Sequence, residues 1–238
     1  MSAIEQSPPK AILFDFGDTL FGRDGGYQRV IRAAARLGAD VSDLRARQVW
    51  ESIQARARTP EEIARGRDLS LEAHRRCWTE LYRQADVLAD GMAELLYNAE
   101  VDPNNWVPFV DTRPCLECLF EASIPVGVVS DTGWDIRAVF EHHGLDRMIE
   151  TYVLSFEQGV AKPAVTLFEQ ACRDLGVLPA DAVMIGDNPL TDGGSVGAGI
   201  SCLILPSQAE GGRRGLDAVL RLAGLAPPCA PARSERCR

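Results

Sequence analysis

The pattern of apolar and polar positions divides the chain into two kinds of segment. In the first kind, short apolar runs that end near Gly, Ser or Asp indicate buried parallel strands, and each is followed by a stretch of helical periodicity. We predict strands at residues 11–14, 125–130, 152–155, 182–186 and 201–205, and helices at 112–122, 134–143, 163–175, 192–198 and 215–223. Strands that alternate with helices are typical of a right-handed parallel sheet. The predicted fold class is therefore α/β, with a Rossmann-like parallel core.

The second kind of segment is entirely helical and separates the first strand from the second. Its periodicity predicts helices at 27–37, 43–57, 60–66, 70–84 and 86–98, with N-caps at Ser42, Thr59 and Ser70. Its arginines are interleaved with acidic residues, which indicates a solvated face. We predict a helical cap over 23–105, inserted into a core formed by 11–22 and 106–226, a flexible leader at 1–10 and a disordered tail at 227–238. An insertion that leaves directly after the first strand covers the crevice at the strand ends.

The composition of the chain argues against some classes of binding partner. The net charge of -9 in 238 residues argues against binding to nucleic acid or to an anionic membrane surface. No apolar run approaches the roughly 20 residues that span a bilayer, and the N-terminal residues lack the pattern of an export signal. The seven cysteines are an odd number and are scattered, which is typical of reduced thiols. These features predict a cytoplasmic protein.

Four polar side chains end or follow the predicted strands. Asp15 follows the first strand, Ser130 ends the second, Lys162 comes after the third, and Asp187 follows the fourth. In open α/β sheets, ligands bind beyond the carboxyl ends of the strands, so these side chains are expected around one crevice. Each of them alone has an ordinary interpretation as a cap, a turn residue or an exposed lysine. Together with Asp192 they form a set of carboxylates, a hydroxyl and an ammonium group that suits Mg²⁺ and a phosphoryl group.

The sequence motifs around these residues resemble those of the haloacid dehalogenase (HAD) superfamily of hydrolases. FDFGDTL, VVSDT, GVAKP and GDNPLTD resemble the first, second, third and fourth motifs of the family, and they occur in the family's order. The resemblance covers nearly the whole chain, apart from the first ten residues and the tail. It implies a HAD fold with a helical cap of the C1 type, inserted after the first strand.

The resemblance also implies a phosphoryl-transfer site built on Mg²⁺. Asp15 is expected to attack phosphorus and to form an aspartyl-phosphate that water then hydrolyses. The metal is expected to be held by the Asp15 carboxylate, the backbone carbonyl of Gly17 and the Asp187 carboxylate. Asp192 is expected to support the metal, either directly or through water.

The same resemblance implies the residues that bind the substrate. Ser130 and Lys162 are expected to bind the phosphoryl oxygens and to offset their charge in the transition state. Thr19 and Asp131 are expected to contribute to substrate binding. Trp134 follows the Ser130 turn and has two interpretations, as a residue that shapes the pocket or as a core residue of the next helix.

One position departs from the family's pattern. Phosphatases of the family usually carry a second aspartate two residues after the nucleophile, where it protonates the leaving group and activates water. Here that position is Gly17, and Asp18 stands one residue further on, where glycine is usual. General acid–base help is worth roughly 10²–10⁴ in rate. Asp18, another group or water replaces it, or the enzyme is slow; the sequence leaves these alternatives open.

The sequence therefore predicts a Mg²⁺-dependent phosphatase that hydrolyses a small phosphorylated metabolite, as a monomer or homodimer. The first alternative is a 2-haloacid dehalogenase, in which halide leaves unprotonated. Those enzymes are metal-free, however, and the resemblance would call for an aromatic residue at Gly17 and fewer acids in the fourth motif. The second alternative is a catalytically weakened member that binds a phosphorylated ligand or a protein partner.

Overall fold

A computed structural model describes residues 7–23, 25–206 and 212–227. The predicted leader and tail lie outside the described residues, apart from residues 7–10 and Pro227. Within the described ranges the strands are β1 Ala11–Phe14, β2 Phe21–Arg23, β3 Trp106–Pro108, β4 Val126–Ser130, β5 Thr151–Leu154, β6 Ala182–Gly186 and β7 Ser201–Ile204. The helices are α1 Gln28–Arg36, α2 Asp43–Ala57, α3 Pro60–Ile63, α4 Leu71–Tyr82, α5 Met92–Glu100, α6 Thr112–Glu121, α7 Arg137–His142, α8 Ser155–Gln158, α9 Val165–Asp174 and α10 Asp217–Leu222.

Five parallel strands form the central sheet, in the spatial order β5-β4-β1-β6-β7. Strand β1 lies in the middle, between β4 and β6, and all four of its side chains are fully buried. Ile12 and Phe14 pack with residues of α6, α7 and α10, whereas Ala11 and Leu13 pack with residues of α9 on the other face. Because helices cover both faces, the strands read as continuous apolar runs. The α/β fold class is confirmed, and each of the five predicted strands begins and ends within one residue of its prediction.

The helices α1 to α5 form a separate helical segment with its own apolar cluster, which includes Val30, Ile53, Leu81 and Leu96. The three predicted N-caps are confirmed, because each side-chain oxygen accepts a hydrogen bond from the backbone N–H three residues later. These caps satisfy N–H groups that have no partner inside the helix. They define where α2, α3 and α4 begin.

A two-stranded antiparallel ladder between β2 and β3 was not expected from the sequence. It pairs Phe21 with Pro108 and Arg23 with Trp106, at the two points where the chain passes between the core and the helical segment. The sequence predicts a glycine-rich break at 22–26 and a turn-rich stretch at 102–108. Strands of three residues are too short to produce a recognisable alternation. The predicted cap boundaries fall within this ladder, and the division into two domains stays a prediction.

Several predicted helices have different ends in the structure. The helix predicted at 86–98 begins instead at Met92, because Gly91 has a left-handed backbone with φ of 89° and Asp86 Oδ1 accepts a hydrogen bond from the Ala93 N–H. The helix predicted from residue 134 begins at Arg137. Residues 192–198, which are rich in glycine, form a 3₁₀ helix rather than an α-helix. Among the described residues, none of the helices is both long and apolar enough to cross a membrane.

Candidate active site

The side chains predicted to take part in catalysis lie at the carboxyl end of the sheet. Asp15 directly follows β1, Ser130 is the last residue of β4, and Asp187 directly follows β6. Since these three strands are parallel neighbours, their carboxyl ends meet at one edge of the sheet. Lys162 reaches the same place from the loop between α8 and α9. The structure therefore brings together four residues that are distant in the sequence.

Lys162 lies between two buried carboxylates. Its Nζ donates to Asp15 Oδ1 at 2.8 Å and to Asp192 Oδ1 at 2.6 Å, and only 3% of its side chain is exposed. Burial lowers the pKa of Lys162, but the charges of Asp15 and Asp192 outweigh burial, so its pKa is raised. Burial raises the pKa of Asp15 to about 7, against the opposing effect of Lys162. One ammonium group is thus shared by two acids.

Three carboxylates form the cluster predicted to bind metal. Oxygen atoms of Asp15, Asp187 and Asp192 all lie within 4.8 Å of one another. Asp192 Oδ2 accepts hydrogen bonds from the backbone N–H groups of Asp187 and Asn188, at 3.1 and 3.0 Å. This approach requires Gly186, since a Cβ there would lie 2.1 Å from Asp192 Oδ2.

The donor set of this cluster fits a hard divalent cation. Lys162 pairs with Asp15 and Asp192, and Asp187 adds a third carboxylate, so the cluster carries excess negative charge. Burial, followed by the charge of Asp18, raises the pKa of Asp187. Carboxylate oxygens in small number are the ligands that Mg²⁺ takes in proteins. The residues present would therefore accommodate Mg²⁺, with Asp15 and Asp187 facing the cavity and Asp192 buried behind them.

The predicted substrate-binding residues differ in their positions. Ser130 lines the cavity and is 3% exposed. Asp131 also lines it, and its Oδ1 accepts the backbone N–H of Lys162 at 2.8 Å, which fixes the lysine loop against the end of β4. Thr19 is fully buried away from the cavity wall, and its hydroxyl has no hydrogen-bond partner among the described residues. The role predicted for Thr19 stays a prediction.

The turn after β1 carries the departure from the family's pattern. Gly17 lines the cavity, and a Cβ on it would meet the Trp106 ring at 3.7 Å, an ordinary contact distance. Asp18 has a left-handed backbone, with φ of 57°, which is unusual for a residue with a side chain. Its carbonyl accepts a hydrogen bond from Arg214 Nε, which holds the turn in place. Asp18 also lines the cavity.

A cavity of about 390 Å³ lies between these strand ends and the helical segment. Its aromatic lining includes Phe16, Trp106 and Trp134, and the centroids of the first two rings are 4.7 Å apart. Trp134 therefore fits both of its interpretations, since it lines the cavity and packs in the core. From the helical side and β2 the wall is formed by Arg23, Gln54, Ala57, Arg58, Ile63, Arg67, Asp68, His74, Trp78 and Glu100.

The charged residues of this second wall were missed by sequence reasoning. Glu100 is 2% exposed, and its carboxylate accepts hydrogen bonds from Arg23, Arg29 and Tyr82, each at 3.0 Å. Burial raises the pKa of Glu100, but Arg23 and Arg29 outweigh burial and lower it to about 2. The sequence signal that could have identified Glu100 is an acidic residue at the end of a mostly apolar helix. Asp68 lies in a loop, where no periodicity distinguishes a cavity-facing residue from a solvated one.

The helical segment contacts the core beside the second motif. Ser155 Oγ donates to the backbone carbonyl of Asp68 at 2.6 Å and accepts the Thr132 N–H at 2.9 Å. Gly133 allows the approach of α4, because a Cβ there would lie 2.3 Å from His74 Cβ. These contacts fix Asp68 close to the end of β4.

Comparison with known proteins identifies the family of this chain. A family profile of haloacid dehalogenase-like hydrolases matches residues 9–193. The chain belongs to this family. Two of the curated proteins that are similar to this HAD-family hydrolase match it over about three quarters of its length. Haloacid dehalogenase-like hydrolase domain-containing protein 3 of Danio rerio is 25% identical over 195 residues, which are 78% of this chain and 79% of that protein. Glyceraldehyde 3-phosphate phosphatase of Methanopyrus kandleri is 28% identical over 193 residues, 75% of each chain.

Solved structures support the fold of this HAD-family hydrolase. A crystal structure of a dehalogenase with an intermediate complex superposes with a TM-score of 0.68 at 18% identity, and the match covers 94% of this chain and 100% of that chain. At this identity the likeness shows the fold alone. Phosphatases and dehalogenases thus both occur among the similar proteins, so the chemistry has to be argued from this chain's own residues.

Proposed function

We propose that this hydrolase is a Mg²⁺-dependent phosphatase that acts on a small phosphate monoester through an aspartyl-phosphate. The observation that carries the proposal is the cluster of three carboxylates at the floor of the cavity, two of which accept hydrogen bonds from Lys162. Asp15, Asp187 and Asp192 would hold the cation, with the Gly17 carbonyl as a further ligand. When bound, Mg²⁺ supplies positive charge that offsets the phosphoryl oxygens.

In this mechanism the chain's own residues position and activate the reacting groups. Asp15 attacks phosphorus, because its carboxylate is at the cavity floor and is held by Lys162 at 2.8 Å. Ser130 and Lys162 bind the phosphoryl oxygens and stabilise the charge of the transition state. Asp131 positions Lys162, because its Oδ1 accepts a hydrogen bond from the Lys162 backbone N–H. Water then hydrolyses the aspartyl-phosphate, which restores Asp15.

The partner expected for this site is a small phosphorylated metabolite, since a cavity of about 390 Å³ has the size of a small-molecule site. The net charge of -9 supports the absence of nucleic-acid and membrane partners. Monomer and homodimer are both compatible with the proposal. A cytoplasmic location stays part of the prediction.

The experiment measures phosphate release from a panel of small phosphate esters, with Mg²⁺ and with a chelator, for the wild-type protein and Asp15→Asn. We expect release that requires Mg²⁺ and that Asp15→Asn abolishes without loss of the fold, as judged by circular dichroism. Full activity of the variant would contradict the covalent mechanism. Ligand affinity that depends on Mg²⁺ but has no turnover would favour the binding-module alternative.

A 2-haloacid dehalogenase is the second candidate function, and one contact favours it. Trp106 packs against Gly17, so an aromatic ring lies beside the position where the resemblance calls for one. Asp187, a second acid in the fourth motif, argues against this candidate, because a metal-free dehalogenase would have no cation to offset the charge of three clustered carboxylates. Halide release from 2-haloacids, in the absence of phosphate release from any ester, would support the dehalogenase.

A further inference from the structure

The absence of a carboxylate at Gly17 leaves the proposed phosphatase without an evident proton donor. A group that replaces it must line the cavity and exchange a proton near neutral pH. Two titratable groups on the wall fail this requirement. Arg23 and Arg29 outweigh burial and lower the pKa of Glu100 to about 2, so it is ionised. Burial lowers the pKa of His74 to about 4, and its Nδ1 lies 3.2 Å from the Tyr97 hydroxyl, so at neutral pH it is an uncharged imidazole, which is a very weak acid.

Two further carboxylates, Asp131 and Asp18, line the cavity from the side of the strand ends. Asp131 uses Oδ1 to hold the backbone N–H of Lys162. Asp18 follows Gly17 in the turn after β1, on the side of the strand ends, and Arg214 Nε donates a hydrogen bond to its backbone carbonyl. In an in-line displacement the leaving group lies on the far side of phosphorus from the attacking Asp15 oxygen, so we look for its donor on the wall opposite the strand ends.

Asp68 meets the requirement from the opposite wall. It lines the cavity, and 25% of its side chain is exposed there. Its carbonyl is anchored to Ser155 Oγ at 2.6 Å, and Ser155 in turn is bonded to Thr132, two residues after Ser130. These hydrogen bonds hold Asp68 near the end of β4. Asp68 and Asp15 line the same cavity, Asp68 from the helical segment and Asp15 from the strand ends. Its carboxylate is paired only with the Nε of its neighbour Arg67, at 3.4 Å, among the described residues.

We propose that Asp68 is the general acid and base of this enzyme, in place of the carboxylate that Gly17 lacks. The inference rests on the phosphatase function proposed above. In the first step, an Asp15 oxygen bonds to phosphorus as the bond to the ester oxygen breaks. The electron pair stays on that oxygen, which takes the proton of the Asp68 carboxyl group and leaves as an alcohol. In the second step, the Asp68 carboxylate takes a proton from water, whose oxygen bonds to phosphorus and releases Asp15. Both side chains return to their starting states.

The test uses two substrates of similar shape, p-nitrophenyl phosphate and phenyl phosphate. Nitrophenolate leaves without a proton, whereas phenolate benefits from one. In a single turnover, Asp68→Asn should release nitrophenolate within a few-fold of the wild-type rate, whereas release of phenol should fall about 10²–10⁴-fold. In steady state both substrates should slow, with a burst of nitrophenolate, because the second step also lacks its base. Equal loss on both substrates, or no loss on either, would overturn the proposal.

Three further variants separate catalysis from structure. Asp68→Glu keeps the acid and should recover part of the phenyl phosphate rate. Asp90→Asn, an exposed residue of the same helical segment, should behave like the wild type. Asp18→Asn is the rival, and a loss that depends on the leaving group in this variant, but not in Asp68→Asn, would assign the role to Asp18. If the wild-type protein releases phosphate from neither ester, the proposed phosphatase function itself fails, and the role of Asp68 with it.

A pH profile gives a second readout. Burial raises the pKa of Asp68 to about 6, with Arg67 and Arg23 opposing the shift and Asp131 adding to it. A general acid works in its protonated form, so kcat/KM for phenyl phosphate should fall as pH rises through this range. Asp68→Asn should remove that fall. If the variant keeps the same basic limb, another group supplies the proton.

Discussion

Two clusters of charged side chains, each with a buried centre, differ in the sign of their excess charge. In the core cluster, one ammonium group faces three carboxylates. In the helical cluster, one carboxylate faces two guanidinium groups and a tyrosine hydroxyl. The core cluster consists of Lys162, Asp15, Asp187 and Asp192, and the helical cluster of Glu100, Arg23, Arg29 and Tyr82.

This difference indicates which of the two clusters is expected to bind a cation. Both oxygens of Glu100 accept hydrogen bonds of 3.0 Å, so the one carboxylate of the helical cluster is fully paired by side chains of this chain. Asp187, in contrast, accepts no side-chain hydrogen bond among the described residues, and burial raises its pKa. Buried charge without enough counter-charge is costly unless a cation binds. We therefore expect the core cluster to bind a cation and the helical cluster to contribute mainly to stability.

The largest effect is expected when the core cluster loses its one cation. Lys162→Met should lower phosphate release by about 10²–10³-fold, since a group that stabilises transition-state charge is removed. It should also cost about 3–5 kcal/mol of unfolding free energy in the absence of Mg²⁺, because buried carboxylates lose their partner. Urea unfolding and a phosphate-release assay measure the two effects. Lys10→Met is the control, since the Lys10 side chain is 68% exposed and its pair with Asp181 should contribute little.

The helical cluster should lose stability rather than chemistry. Glu100→Gln leaves Arg29, which is 2% exposed at its side chain, without its counter-charge, and should cost about 3–5 kcal/mol in urea unfolding. Glu94→Gln is the control, because Glu94 pairs with Arg75 where both side chains are more than half exposed, and it should cost less than about 1 kcal/mol. If Glu100→Gln instead stops the chemical step and leaves stability unchanged, the helical cluster belongs to the catalytic machinery.

The pH dependence of the unfolding free energy gives a second test of the stabilising role of Glu100. Arg23 and Arg29, against burial, lower the pKa of Glu100 from its ordinary 4.5 to about 2 in the folded protein. The stability from this group is therefore fully present above pH 4.5 and is lost as pH falls toward 2. The shift corresponds to roughly 3 kcal/mol. Glu100→Gln should lack this part of the acid dependence of the unfolding free energy.

The sequence predicts the core cluster and not the helical one, for a physical reason. A residue that ends a buried parallel strand has a fixed place in the fold, so Asp15, Ser130 and Asp187 could be assigned to one crevice. Helical periodicity indicates that a face is buried, but it does not say which charges meet there. Arg23 and Glu100 are 77 residues apart, and the arginines of this segment were predicted to be solvated, as Arg75 is.

The contact between the two regions gives a smaller effect. In Gly133→Ala, the new Cβ would lie 2.3 Å from His74 Cβ and 2.8 Å from the Arg67 carbonyl, so the start of α4 must move away from the core. A displacement near 1 Å can cost about 10²-fold in rate, and we expect a loss of about 10–100-fold with a modest change in thermal stability. Gly193→Ala, where an added Cβ meets nothing within 4 Å, is the control. Equal effects of both substitutions would show that this close approach does not position the site.

The smallest effect is expected for Gly17→Asp. This variant distinguishes an enzyme that lacks a general acid from one in which Asp68 supplies the proton. A Cβ at Gly17 meets only Trp106, at 3.7 Å, and Gly17 does not have a left-handed backbone, so Gly17→Asp should fold. If Asp68 already supplies the proton, the added acid should raise phenyl phosphate turnover only a few-fold in the wild-type background. In the Asp68→Asn background it should raise turnover at least about 10-fold, because it restores an absent acid. Gly17→Asn, of the same shape but without a proton to exchange, should give neither gain. A large and equal gain in both backgrounds would mean that the helical wall contributes no acid, and that the chemistry belongs to the strand ends alone.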